Sequence, residues 1–152
     1  MQTGKVRRVA IGVEVLDEAT DEVVEAFGRL LPQLSGSAKP LDAAGIAAVA
    51  ASPAVTVLLA RSDGRIVGSL SLVMFRIPTG LRAWIEDVVV DEAARGQGIG
   101  SVLTREALRL AEAAGARTVD LSTRPSRAAA GRLYEREGFK QRETRMYRYA
   151  FE

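Results

Sequence analysis

The chain contains no cysteine and no histidine, and no asparagine appears anywhere in its 152 residues. Without cysteine there is no disulfide, no thiol nucleophile and no cysteine-ligated zinc. Without histidine, a Ser-His-Asp triad, an imidazole general base and a His-ligated metal are excluded as well. Acid–base chemistry is left to carboxylates, tyrosine, lysine or water, and no metal is expected. Aromatic residues make up only 5% of the chain, and the formal charge is +2 from 21 basic and 19 acidic residues. So near a balance, with so few rings for base stacking, argues against a nucleic-acid partner despite the arginines between Arg124 and Arg148. No apolar run approaches the roughly 20 residues that span a bilayer, so no membrane partner is expected. The opening MQTGKVRRVA lacks the apolar centre of a signal peptide, and a cytoplasmic location is the expectation.

The hydrophobic content of 47% with 26% charge is that of a globular protein, and 152 residues suit one domain, residues 1–152. Residues 6–15 are rich in Val and Ile and read as a strand. Thr20 offers a helix N-cap, with Val23, Val24, Phe27, Leu30 and Leu31 at helical spacing as far as Pro32. A Ser/Gly/Pro loop over 33–40 precedes a short Ala-rich helix over 41–51. Strands over 55–61 and 65–77 flank the hairpin turn Ser62-Asp63-Gly64, and a third strand covers 83–90. Ile99, Val102, Leu103, Leu110 and Ala114 mark one face of a helix that Gly115 terminates. A short strand over 118–122, a helix over 128–137 ended by Gly138, and one or two closing strands in 139–151 complete the order β-α-α-β-β-β-α-β-α-β-β. The fold class is α/β with a mixed, mostly antiparallel sheet.

Three glycines, Gly96, Gly98 and Gly100, stand where a strand gives way to a helix. Consecutive amides at a helix start lack intrahelical partners and attract anions, and glycine lets those amides converge. A tight βα turn would use the same residues. The spacing rejects a dinucleotide fingerprint, since Ser101 stands where its last glycine is needed, and it rejects a Walker loop, since no lysine is present. It fits R/Q-x-x-G-x-G/A, as Arg95-Gly96-Gln97-Gly98-Ile99-Gly100 after the strand WIEDVVV. Together with the downstream Ala130-x-x-Leu133-Tyr134-x-x-x-Gly138-Phe139, this resembles the GCN5-related N-acetyltransferase (GNAT) superfamily. The likeness is strongest over residues 84–139. The segment IEDVVV with its loop is also similar to glucosamine-6-phosphate N-acetyltransferases.

The resemblance implies acetyl-CoA as co-substrate, a sheet splayed after the strand ending at Val90, and a cleft between that strand and the one near Ser122. Backbone groups of Val88, Val89 and Val90 would pair with pantetheine, and amides of Gly96 to Ser101 would hold the pyrophosphate under Arg95. Tyr134 would protonate the departing thiolate. Glu86 is the candidate base, and an ion pair with Arg82 is its plainer explanation. Strand alternation puts Asp87 on the face opposite Glu86. Arg127 occupies the place of a usual family asparagine, and Ser126 is the candidate substitute for that asparagine's contact. The implied reaction is acetyl transfer to a primary amine, more readily a small molecule than a protein N-terminus or lysine. A non-catalytic acyl-CoA-binding or regulatory module is the alternative, and homodimers occur in the family.

Overall fold

The computed structural model describes residues 9–151. Its elements are β1 (Ile11–Val15), α1 (Asp21–Leu34), α2 (Ala43–Ala51), β2 (Val55–Ser62), β3 (Arg65–Ile77), β4 (Gly80–Val90), a 3₁₀ turn (Glu92–Ala94), α3 (Ile99–Ala113), β5 (Thr118–Asp120) and α4 (Ala128–Arg136). Two compact units divide the chain after Ser122. None of the described helices is long and apolar enough to cross a membrane.

The first unit holds one sheet in the order β1-β2-β3-β4-β5. The first four strands pair antiparallel, while β4 and β5 run parallel. The mixed, mostly antiparallel sheet is therefore as the sequence suggests. At the β2–β3 hairpin, Asp63 and Gly64 both take positive φ, 48° and 84°, the primed turn that an Asp-Gly pair favours. Cross-strand partners share a face, so Leu59 and Ser69 lie on one side of the sheet and Ala60 and Gly68 on the other. Phe27 and Leu30 of α1 and Ile46 of α2 pack on the first side with Val57, Leu59 and Val89. The other side meets α3: a Cβ built on Gly68 would stand 3.2 Å from Ile99 Cγ2 and 3.3 Å from Leu103 Cδ1. Covered on both faces, β2 is buried continuously from Val57 to Ala60.

Several boundaries differ from those read in the sequence. β1 begins at Ile11, and positions 6–8 of its expected span lie outside the described residues. Thr20 caps α1 as expected, its Oγ1 accepting from the Val23 amide at 3.3 Å, but the helix runs two residues past Pro32. A proline so near the end removes only one late hydrogen bond. α2 starts at Ala43, because Asp42 caps it by accepting the Gly45 amide at 2.8 Å. The buried stripe of α3 is Ile99, Leu103, Thr104, Ala107 and Ala111, so Ala114 falls off the expected face.

In the second unit, α4 ends before Gly138, whose φ of 99° suits the position after a helix. The closing strands expected in 139–151 are not present: residues 140–151 form no ladder among the described residues. There Tyr147, Tyr149 and Phe151 are exposed, and alternate exposed aromatics do not make a strand without a hydrogen-bonding partner.

Candidate active site

β4 delivers the chain into a turn that Asp91 organises. Its Oδ1 accepts the Ala93 amide at 3.2 Å and so caps the 3₁₀ turn. Gly96 and Gly98 follow with φ of 82° and 76°, in the left-handed region that glycine enters without strain. A Cβ on either would meet no atom within 4 Å, so backbone conformation, not crowding, requires glycine here. Gly98 is the N-cap of α3 and supplies no capping side chain. The first intrahelical bond runs from the Val102 amide to the Gly98 carbonyl, at 3.1 Å. The amides of Ile99, Gly100 and Ser101 therefore open α3 without intrahelical partners, where the helix dipole favours negative charge.

Each predicted loop residue then has a defined position. Ile99 is buried, its side chain in the core beside Gly68, so it offers an anion only its amide. The Gln97 Oε1 accepts from the Ser62 hydroxyl at 3.1 Å, tying the loop to the end of β2. The Arg95 side chain is exposed and pairs loosely with Glu92 at 3.7 Å, leaving it able to swing toward a phosphate.

Beneath the turn lies a clamp that the sequence reading missed. Arg29 of α1 donates to Asp91 at 2.6 Å and to the Ile66 carbonyl at 3.1 Å. Gln33, one helical turn on, accepts the Glu92 amide at 2.9 Å and donates toward Asp91 at 3.4 Å. The Asp91 amide in turn donates to the Val67 carbonyl at 2.7 Å. Burial pushes the Asp91 carboxyl up, but the Ala93 amide, Arg29 and Gln33 outweigh it and hold the pKa below the usual aspartate value. An acid directly after a strand and an Arg-x-x-x-Gln step on a helix are too common singly to be noticed in a sequence.

β4 pairs with β5 only from Arg82 to Trp84, against Thr118 to Asp120. Beyond Trp84 its edge on that side has no strand partner among the described residues, so the expected splay is present within this unit. Val88 and Val90 are half-buried, while Val89 is buried in the core, leaving main-chain groups of this stretch for an extended ligand. The opposite edge of β4 is irregular. Ser71 pairs with Glu86 and Ser69 with Val89, so β4 carries one extra residue. Asp87 sits in that bulge with φ of 49°, a conformation costly for a side-chain-bearing residue. Simple alternation therefore fails here: Glu86 is paired across from Ser71, and Asp87 lines a cavity with Ser69, Ser71 and Val89. Glu86 is exposed, and Arg82 donates to the Thr118 and Thr79 hydroxyls rather than to it. The expected ion pair of Glu86 with Arg82 is therefore not formed.

In the second unit, Tyr134 is half-buried on α4 and meets Phe139 edge to face, with ring centroids 5.8 Å apart. Burial raises its pKa, partly offset by the Arg127 cation, so the phenol keeps its proton at neutral pH. Arg127 is the N-cap of α4 and makes no side-chain capping bond, and Ser126 is exposed in the turn before it.

The model of the acetyltransferase (GNAT) family matches residues 11–139. The chain belongs to that family. An aminoalkylphosphonate N-acetyltransferase of Salmonella typhimurium (strain LT2) is 41% identical over 100 residues, a stretch covering 64% of this chain and 64% of that protein. The chain thus matches about two thirds of the length of that curated relative. A solved structure from Agrobacterium tumefaciens str. C58, described as an acetyltransferase, is 27% identical with a TM-score of 0.81, covering 91% of this chain and 99% of its own. A Trypanosoma brucei acetyltransferase is 28% identical with a TM-score of 0.76, covering 93% and 100%.

For this GNAT chain, the structure brings the free β4 edge with Glu86 and Asp87, and the glycine loop that follows it, into one unit. Tyr134, Ser126 and Arg127 belong to the other. The described residues contain no group of three or more carboxylates able to hold a metal ion.

Proposed function

We propose that this chain transfers the acetyl group of acetyl-CoA to the primary amine of a small molecule. What supports this most directly is the row of unpartnered amides at the start of α3, one turn beyond a strand edge that lacks its neighbour. A diphosphate suits the amides and an amide-bearing pantetheine arm suits the strand edge. In this reading the amides from Gly96 to Ser101 hold the pyrophosphate, Arg95 closes over it, and Val88 to Val90 pair with the arm. The amine nitrogen attacks the thioester carbonyl to give a tetrahedral intermediate. Its collapse breaks the C–S bond, and the phenol of Tyr134 gives the sulfur its proton. Glu86 removes a proton from the amine, directly or through water. Ser126 stands in for the family asparagine beside the arm. Residues 1–152 act as one catalytic domain, a reading supported by a family match that runs across the boundary at Ser122.

A small acceptor is supported by the curated relative, whose name gives it an aminoalkylphosphonate. The test is free-CoA release from acetyl-CoA over a panel of small amines, N-terminal peptides and lysine peptides. Release with small amines is expected. Binding of acetyl-CoA with no release on any amine would favour a non-catalytic acyl-CoA module instead, and release on peptides alone would reassign the acceptor.

A further inference from the structure

Between α1, α2 and the β3–β4 bulge lies a cavity of about 90 Å³. Its walls are apolar side chains of both helices, including Phe27, Leu31, Ile46 and Val49, and of the sheet, Val57 and Val89. The polar groups in its lining are Ser69, Ser71 and Asp87. Among the described residues, no lysine or arginine lines it.

Three features separate this space from a mere packing flaw. The two serines occupy positions of β3 that face the helices, where neighbouring strand positions hold Val57 and Leu59. Small side chains in the middle of a buried strand keep the space open, and their hydroxyls make it partly polar. Next, Asp87 reaches the cavity only because the bulge gives it a left-handed backbone, and such strain persists where it serves a site. Asp87 is also solvent-exposed, so the cavity opens beside it, next to the β4 residues that carry the free edge.

Resting on the acetyl-transfer reading above, we infer that this cavity seats the amine acceptor and selects a compact alkylamine without an anionic group. The ammonium lies against the Asp87 carboxylate with the serine hydroxyls beside it, and the apolar body fills the space under α1 and α2. At about 90 Å³ the cavity is smaller than the roughly 150 Å³ that accepts benzene, which restricts the buried part to a few carbon atoms. A phosphonate or carboxylate placed there would be buried without a cation and beside a carboxylate, which is costly. The chain thus differs in acceptor from its aminoalkylphosphonate-acetylating relative. During reaction the ammonium loses two protons overall: one goes to solvent by way of a carboxylate, and the other ends on the CoA sulfur as the N–C bond forms and the C–S bond breaks.

The test compares kcat/KM for n-butylamine and for 2-aminoethylphosphonate, read as free-CoA release, in the wild type, Asp87→Asn and Ser71→Val. Asparagine tolerates a left-handed backbone and keeps the shape while removing the charge. Valine fills the cavity with atoms that suit its walls. The alkylamine is expected to be preferred by at least about tenfold, since one uncompensated buried charge costs that much or more. Each variant is expected to lose about tenfold or more on the alkylamine, with acetyl-CoA affinity by calorimetry unchanged. Preference for the phosphonate, or unchanged alkylamine kinetics in both variants, overturns the inference and leaves acetyl transfer standing. Failure of the wild type to bind acetyl-CoA overturns both.

Discussion

Tyr134 and Gly68 show how much single positions carry. The phenol of Tyr134 is held above its ordinary pKa by burial, with Arg127 pulling weakly the other way. Because the protonated form is the proton donor, a raised pKa keeps the donor competent to the ordinary phenol value of about 10 and beyond. Tyr134→Phe is expected to lower kcat by about 10²-fold while acetyl-CoA affinity, measured by calorimetry, stays within a factor of about two. In the wild type, no alkaline loss of kcat below about pH 10 is expected from this group. Gly68 is a different case, since it takes no unusual φ. A Cβ there would lie 3.1 Å from the Val89 carbonyl oxygen and close to Ile99 and Leu103, so Gly68→Ala forces β3 and α3 apart. A loss of about 1–3 kcal/mol in a urea titration is expected, the usual cost of overpacking.

At the scale of elements, α1 does more than cover the sheet. Arg29 and Gln33 grip Asp91 and Glu92, so the helix that walls the cavity also fixes the entry to the anion loop. Removing one partner of this largely buried pair leaves the other without its counter-charge, and Asp91→Asn is expected to cost about 2 kcal/mol in thermal or urea unfolding. The Asp91 pKa is lower in the folded chain than in the unfolded one. Its contribution is therefore present above the unfolded value and disappears as pH falls through the folded one. Unfolding midpoints should drop below about pH 4 in the wild type, with a shallower drop in Asp91→Asn. Equal acid slopes in the two proteins would show that the clamp carries no such linkage.

For the whole molecule, what the sequence made legible followed from short-range rules. The Asp-Gly hairpin, the Thr20 cap, and the glycines after α3 and α4 are local decisions, and each falls where its residue chemistry puts it. So does the glycine loop, whose left-handed residues announce themselves at Gly96 and Gly98. The bulge at Asp87 was not legible, because it arises from pairing between β3 and β4 that no local pattern in IEDVVV records. The Arg29–Asp91 pair joins residues 62 positions apart, and distance along the chain hides it for the same reason. The closing strands expected in 139–151 have no partner ladder among the described residues, and a strand needs a neighbour that no local pattern in this segment specifies. The central claim is that the uncapped start of α3 binds the CoA pyrophosphate, and Gly98→Val tests it most directly. Valine at φ of 76° is strained, and its side chain would project into space that is otherwise open. Titration calorimetry with acetyl-CoA, beside circular dichroism to establish folding, is predicted to give clear binding in the wild type and at least about hundredfold weaker binding in the folded variant. Equal affinity in the two folded proteins would contradict it.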